Sequence, residues 1–298
     1  MMTDLEQETD AVLITGPTAS GKSALALEFA RRHNGVVVNA DSMQVYGILR
    51  VLTARPSEAE MAGVAHALYG HVDPATPYST GDWLREVQAL MSRLKSEGRL
   101  PVIVGGTGLY FKALTGGLSE MPFVADDIRL QWRSRLADDG AVALHAELMR
   151  VDPQTASGLN PEDGQRIVRA LEVFSASGQS IRAFQGKSGP MVVDPGRARK
   201  IVVLPDRAVL HDRINRRFER MFDDGAVAEV EALLALDLKP EMPAMKAIGV
   251  SQIGQMLHGA LSPEAVIETA SAATRRYAKR QMTWFRNQMD ESWERMAP

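Results

Sequence analysis

Apolar residues along the chain fall into two textures. Short unbroken runs, AVLIT at 11–15, GVVVN at 35–39, LPVIV at 100–104 and KIVVL at 200–204, are bounded by glycine, proline or polar residues. Runs of that length without alternation mark strands buried on both faces. Longer stretches between them carry a helical repeat, the first over residues 22–33. Strand, loop, helix, strand makes a right-handed parallel unit, and its repetition predicts an α/β protein, a doubly wound parallel sheet with helices on both faces.

From residue 116 to about 199 the β-branched runs disappear, and amphipathic stretches such as IRLQWRSRLADDG and PEDGQRIVRALEVFSASG take over. They predict a helical insertion over 118–199, with residues 1–117 and 200–298 forming the core domain. In the second stretch Asn160 is the expected N-cap, with Pro161 at the first helical position, Glu162 and Asp163 in the first turn and Gly178 as the stop. The segment GKSGPMVVDPGRAR reads as a loop back to the core. The last long helix is expected to begin at the Ser262 cap and run towards Asn287, with Val266, Ala270, Ala273, Tyr277 and Trp284 on its packing stripe.

Composition narrows the chemistry. The 298 residues contain no cysteine, which removes disulfides, thiolate metal sites and cysteine nucleophiles. The six histidines show no ligand spacing, His66 and His71 being the closest pair, and the methionines read as core filler. The opening MMTDLEQETD is acidic and lacks an apolar core, and no apolar run approaches a membrane span, so we expect a cytoplasmic protein; separately, we expect a monomer. A net charge of -3 argues against indiscriminate polyanion binding. Yet Arg213, Arg216, Arg217 and Arg220, and then Arg275, Arg276, Lys279, Arg280 and Arg286, recur at helical spacing with few acidic neighbours. A solvated helix face is the common explanation of such runs; two so poor in acids favour a phosphate-backbone partner.

One motif stands out. Directly after the first strand, Gly16-Pro17-Thr18-Ala19-Ser20-Gly21-Lys22-Ser23 has the spacing of a phosphate-cradling loop, with the strand before and helix after that the pattern requires. The core is therefore of P-loop type. The glycines let backbone N–H groups turn inwards as an anion nest at a helix start, Lys22 adds a charge, and Ser23 is the hydroxyl that coordinates magnesium in such loops. The loop reports phosphate, not substrate.

Asp41, in VNADSMQVY, follows the second strand at the carboxyl edge where ligands of open α/β sheets bind. A general base, a water-mediated metal contact and a local turn cap are all open to it. The strand VIV ends in Gly105-Gly106-Thr107, where an ATPase strand often carries a metal-binding aspartate. The glycines permit close backbone approach and Thr107 offers a hydroxyl to a phosphate or bridging oxygen, or caps the helix that follows. A small-molecule or nucleoside kinase using ATP fits this set, as does a nucleotide-gated RNA-binding protein.

Taken in order, GPTASGKS, NADSMQVY, GGTGLYFKAL, GQRIVRALEVF, DRAVLHDRINRRFERM and TRRYAKRQMTWFR resemble the tRNA dimethylallyltransferases, from about residue 11 to 287. The resemblance implies transfer of a dimethylallyl group from dimethylallyl diphosphate to N6 of the adenosine 3′ of the anticodon in tRNA. The loop then holds the donor's diphosphate with Mg2+ at Ser23, Arg217 reaches that diphosphate, and Thr107 donates to the bridging oxygen. Asp41 takes the N6 proton. By the same resemblance Asp41, Ser42, Met43 and Gln44 contact the flipped nucleotide, Gln165, Arg166, Ile167, Val168 and Arg169 grip the anticodon loop, Lys246, Ala247, Ile248, Gly249, Val250 and Ser251 add RNA contacts, and Thr107 and Arg129 also bind the tRNA. The chain departs from the family pattern at GILRVLTARP, at HALYG and at Gly249-Val250, none of them a catalytic position.

Overall fold

The computed structural model describes residues 9–186 and 189–297. Most of the acidic opening, residues 1–8, lies outside the described residues, as do Lys187 and Ser188 of the return loop. The first half runs β1 (Ala11–Thr15), α1 (Lys22–Arg32), β2 (Gly35–Asn39), α2 (Glu58–Met61), β3 (His66–Ala67), α3 (Thr80–Ser96), β4 (Leu100–Gly105) and α4 (Gly108–Gly116). There follow α5 (Asp126–Val151), α6 (Pro153–Ala156), α7 (Gly164–Ser177) and α8 (Ile181–Gln185). The chain then returns through β5 (Ala198–Val203), α9 (Arg207–Met221), α10 (Val227–Leu234), α11 (Val250–Leu257), α12 (Pro263–Gln288) and β6 (Glu294–Met296). Two compact units result, Met1–Thr115 with Val192–Pro298, and Gly116–Met191.

The first unit is built on a sheet in the order β3-β2-β4-β1-β5-β6, every neighbouring pair parallel. The run at 11–15 is buried throughout and its side chains alternate between two layers. Leu13 shares a cluster with Trp83, Val87 and Phe111, while Val12 and Ile14 join Ala26 and Phe29 of α1. This explains why the central strands show no polar alternation: neither face meets water. The edge strands escaped prediction. β3 is two residues long and β6 reads ERM with exposed charges, so neither carries a buried-strand signature.

A third cluster packs Val45, Tyr46, Leu49 and Leu52, from the segment after β2, against Phe218, Met221, Val230, Val250 and Val266 of α9 to α12. Glu229 of α10 fixes this segment. Its carboxylate accepts from the backbone N–H groups of Arg50 at 3.1 Å, Val51 at 2.7 Å and Leu52 at 3.0 Å.

Several expectations shift. α7 starts at Gly164 with Asp163 as its cap, accepting from Arg166 N, while Asn160 closes only a turn by accepting from Glu162 N. An Asn-Pro-Glu-Asp run offers two capping residues, and the one adjoining the apolar repeat wins. Gly178 stops the helix as expected, at φ 68°. The buried stripe of α12 is Val266, Ala270, Ser271, Thr274, Ala278, Gln281 and Phe285, with Ala273, Tyr277 and Trp284 half-buried beside it. In the return segment Val193 is core, and Val192 and Val193 both donate backbone N–H to Leu114 O. β5 begins at Ala198 and ends at Val203, two residues earlier at its start than the apolar run indicated. Met221 and Met289 are buried, but Met149 and Met191 are exposed.

Glu229→Ala leaves three backbone N–H groups without their carboxylate. We expect a loss of stability of about 2 kcal/mol or more, seen as a lower midpoint in urea unfolding.

Candidate active site

The carboxyl ends of β1, β2, β4 and β5 meet where the chain's order in the sheet reverses, β1 having β4 on one side and β5 on the other. Such a switch point opens a crevice between connections that diverge. The loop 16–23 enters it. Thr15, buried at the end of β1, donates its Oγ1 to Gly105 O at 3.0 Å and ties the loop's root to β4. At the other end Gly21 takes φ 90° and makes no side-chain cap, and the first turn of α1 contains no acid. The first N–H groups and the positive end of α1 are therefore left for an anion. Ser20 Oγ is buried there with no protein partner, as suits a hydroxyl reserved for a ligand.

Two cations face this loop. Lys22 Nζ donates to Pro17 O at 3.2 Å, and Arg217, half-buried on α9, donates through Nη2 to Thr18 Oγ1 at 2.5 Å. Burial pulls the Lys22 ammonium down to about 8, the Asp41 carboxylate opposing and Arg217 reinforcing the shift. Burial likewise pulls Arg217 down to about 10, again against the pull of Asp41. Both positive charges are thus only partly compensated.

Asp41 is placed by Asn39, fully buried at the end of β2. The Asn39 amide accepts from Asp41 N at 2.8 Å and donates to the carbonyls of Asp41 and Leu68, each at 3.0 Å; Trp83 Nε1 donates to Asn39 O at 2.8 Å. Asp41 Oδ1 accepts from Met43 N at 3.0 Å, so the turn-capping role is real. It uses one oxygen. Oδ2 points towards Gly106, 3.6 Å from where a Cβ on that residue would stand. Tyr69, Tyr110 and Tyr277 surround the carboxylate: burial first, and then its charge, pushes each phenol up. Tyr110 also stacks on Trp83, ring centres 4.2 Å apart. The HALYG segment lies here, since Leu68 supports Asn39 and Tyr69 faces Asp41.

Thr107 does not cap α4 through its side chain. Its Oγ1 accepts from Ser42 N at 3.0 Å and donates to Ser42 Oγ at 3.3 Å, which joins the β4 turn to the one after β2. Gln44 Nε2 donates to Thr53 O at 2.9 Å and Ala54 O at 3.0 Å, holding the segment GILRVLTARP in place.

Gln281 was missed by sequence reasoning. Buried on α12, it accepts from Thr18 N through Oε1 at 3.0 Å and donates through Nε2 to Gly106 O at 2.8 Å. One side chain therefore clamps the phosphate loop to the β4 turn. Gly106 has to be glycine for this, because a Cβ there would stand 2.4 Å from Nε2. The available signal was a glutamine on the apolar stripe of a helix, where a polar side chain needs a buried partner.

The other expected contacts divide. Lys246 and Ser251 are exposed and Ile248 half-buried, whereas Ala247 and Val250 pack in the core and Gly249, at φ 106°, makes the turn into α11. In the second unit Gln165 and Arg166 are exposed and Arg169 half-buried, while Ile167 and Val168 are core residues beside Leu144, Leu148 and Leu171. Arg129 lies 3.9 Å from Asp126, Arg166 3.4 Å from Asp163 and Arg169 3.3 Å from Glu172.

A family model for IPP transferase matches residues 44–288, and one for isopentenyl transferase matches residues 9–69. The chain belongs to the IPP transferase family. It is 66% identical to the tRNA dimethylallyltransferase of Agrobacterium fabrum over 298 residues, all of both chains, and 64% identical to that of Rhizobium meliloti over 99% of this chain and 98% of the relative. Among solved structures it resembles the full-length tRNA isopentenylpyrophosphate transferase of Bacillus halodurans, at 33% identity and TM-score 0.68, over 98% of this chain and 90% of the other. It also resembles a eukaryotic dimethylallyltransferase captured acting on tRNA, at 26% identity and TM-score 0.76, over 92% and 69% of the two chains. For an IPP transferase the crevice is suitably equipped: an anion nest flanked by two cations, one oriented carboxylate and no acid closing β4.

Gln281→Met should leave Thr18 N and Gly106 O unpaired and loosen the phosphate loop. We expect a stability loss of about 2–4 kcal/mol and weaker inorganic diphosphate binding, read by thermal unfolding and calorimetry. Diphosphate affinity should fall as pH rises through about 8, where free Lys22 loses its proton, and binding above that pH should take up a proton, visible in buffers of different ionisation enthalpy. The stability sign is the reverse. A lysine depressed from 10.5 costs the empty protein stability below about 8, and that cost is relieved as pH rises towards 10.5.

Proposed function

We propose that this enzyme transfers a dimethylallyl group from dimethylallyl diphosphate to N6 of the adenosine immediately 3′ of the anticodon in tRNA, releasing diphosphate. Family membership supports prenyl transfer over the kinase alternative. The observation that carries the mechanism is the placing of Asp41 beside a phosphate cradle that has no carboxylate at the end of β4. A kinase must hold and transfer a phosphoryl group; here the phosphates are what departs.

N6 attacks the first carbon of the donor as the bond from that carbon to the bridging oxygen breaks. Negative charge grows on the diphosphate, and preorganised N–H groups, Lys22 and Arg217 stabilise it without rearranging. Thr107 donates to the bridging oxygen by turning its proton away from Ser42 Oγ, its weaker partner. Ser23, exposed at the mouth of the loop, would hold Mg2+. No group of three or more acidic or histidine ligands occurs among the described residues, and this suits an ion that takes most of its ligands from phosphates and water. Magnesium, when bound, supplies further neutralisation of the diphosphate. Asp41 accepts the N6 proton, which matters because the lone pair of an exocyclic amine is delocalised into the ring.

The adenosine enters flipped from its loop, against Asp41, Ser42, Met43 and Gln44. Lys246 and Ser251, and in the second unit Arg129, Gln165, Arg166 and Arg169, reach the RNA backbone; the buried members of those runs shape the backbone that presents them. The enzyme works as a monomer in the cytoplasm, beside its tRNA. No helix among the described residues is long and apolar enough to cross a membrane.

Incubating the protein with dimethylallyl diphosphate, magnesium and unmodified tRNA, then weighing the nucleosides, should reveal adenosine carrying one dimethylallyl group. A nucleotide-gated RNA binder would leave the mass unchanged. Asp41→Ala should lower single-turnover transfer by roughly 10² to 10⁴ while tRNA affinity is nearly retained; wild-type turnover would remove Asp41 as the base.

A further inference from the structure

Beside the cradle lies a cavity of about 520 Å³ lined by Arg50, Arg55, Arg217 and Arg220, together with Glu60 and Asp224. Arginines so close together repel one another, and a protein keeps them there when an anion joins them. None of the four has a carboxylate within ion-pair distance among the described residues. Their hydrogen bonds go to neutral oxygens: Arg55 Nη2 to Gly47 O at 2.7 Å, Arg217 Nη2 to Thr18 Oγ1 and Arg220 Nε to Arg216 O at 3.2 Å. Arg55 Nε is buried with no partner. The acids in the lining form no ion pair with these arginines. Glu60 Oε2 accepts from Ser57 N and Oγ, Asp224 is exposed, and Glu229, which acts on Arg55 from further off, spends its oxygens on the N–H groups of residues 50–52. Arg217 is common to this cavity and to the phosphate loop.

We propose that this arginine cavity is a second anion subsite that takes a diphosphate group, the donor's on arrival or the product's on departure, and exchanges it with the cradle across Arg217. The inference rests on the prenyl-transfer reading for its occupant, but its physical basis is independent of turnover. A leaving group held by a nest and two cations needs a graded path to water, and a neighbouring cluster of guanidiniums also concentrates the donor at the entrance. The basic run on α9 is thereby divided: Arg217 and Arg220 face the diphosphate path, and Arg216 pairs with Asp212 at 3.1 Å.

The test titrates inorganic diphosphate into the full chain at low salt, with no tRNA present. Wild type should show two binding events. Arg50→Ala combined with Arg220→Ala, both at exposed positions, should show one, with the fold intact by circular dichroism. Lys22→Ala should lose the other. In turnover assays the double variant should lose about tenfold in kcat/KM for the donor if the cavity serves arrival, or in kcat if it serves departure, the defect shrinking at high salt. Slower donor association assigns the cavity to arrival, and slower diphosphate release assigns it to departure. A single event in wild type, two in the double variant, or a loss of tRNA affinity with both diphosphate events retained would overturn the proposal. Absence of prenyl transfer in wild type would sink the functional reading and leave the titration standing.

Discussion

The site depends on positive charge that the protein itself does not fully neutralise. Lys22 and Arg217 stand against a loop whose N–H groups and helix end add to their field, with one carboxylate, Asp41, in the same enclosure. Burial depresses both cations, the direction expected of charges that the surrounding protein compensates only in part. In the proposed reaction the same unbalanced charge binds the donor and stabilises the leaving group more strongly as its bond breaks, because charge grows where the donors already point.

Holding these groups apart and yet within reach is the work of residues remote in sequence. Gln281, from α12, joins Thr18 of the loop to Gly106 of the β4 turn; Thr107 joins that turn to Ser42; Asn39 holds Asp41 from below and is itself held by Trp83. Each link bonds backbone as well as side chain. The phosphate loop, the β4 turn and the carboxylate are thereby fixed to one another rather than merely to the sheet. The segment after Gln44 is pinned from α10 by Glu229, so its residues sit on a defined backbone.

What the sequence exposed was what local physics controls. Four central strands were visible because burial on both faces leaves an uninterrupted apolar run, and the phosphate loop because its spacing is set by the backbone geometry around an anion. Edge strands β3 and β6 were not, since pairing on one side asks little of residues such as Glu294 and Arg295. The true cap of α7 was hidden by a second capping residue, Asn160. Gln281 and Asn39 lay in plain view, but their roles come from contacts 263 and two residues away, and only a folded chain reveals which polar residue on a buried stripe has found its partner. Asp41 shows both sides of this: its turn-capping and functional readings competed on paper, and the structure commits Oδ1 to the turn while Oδ2 is directed at the β4 glycines.

The central claim is that this phosphate loop serves a departing group. The most direct test follows phosphorus by NMR while the protein acts on a tRNA transcript with dimethylallyl diphosphate, ATP and magnesium all present. The account predicts that inorganic diphosphate appears in step with prenylated adenosine and that ATP stays whole. Donor left intact while the terminal phosphate of ATP moves to an acceptor would contradict it.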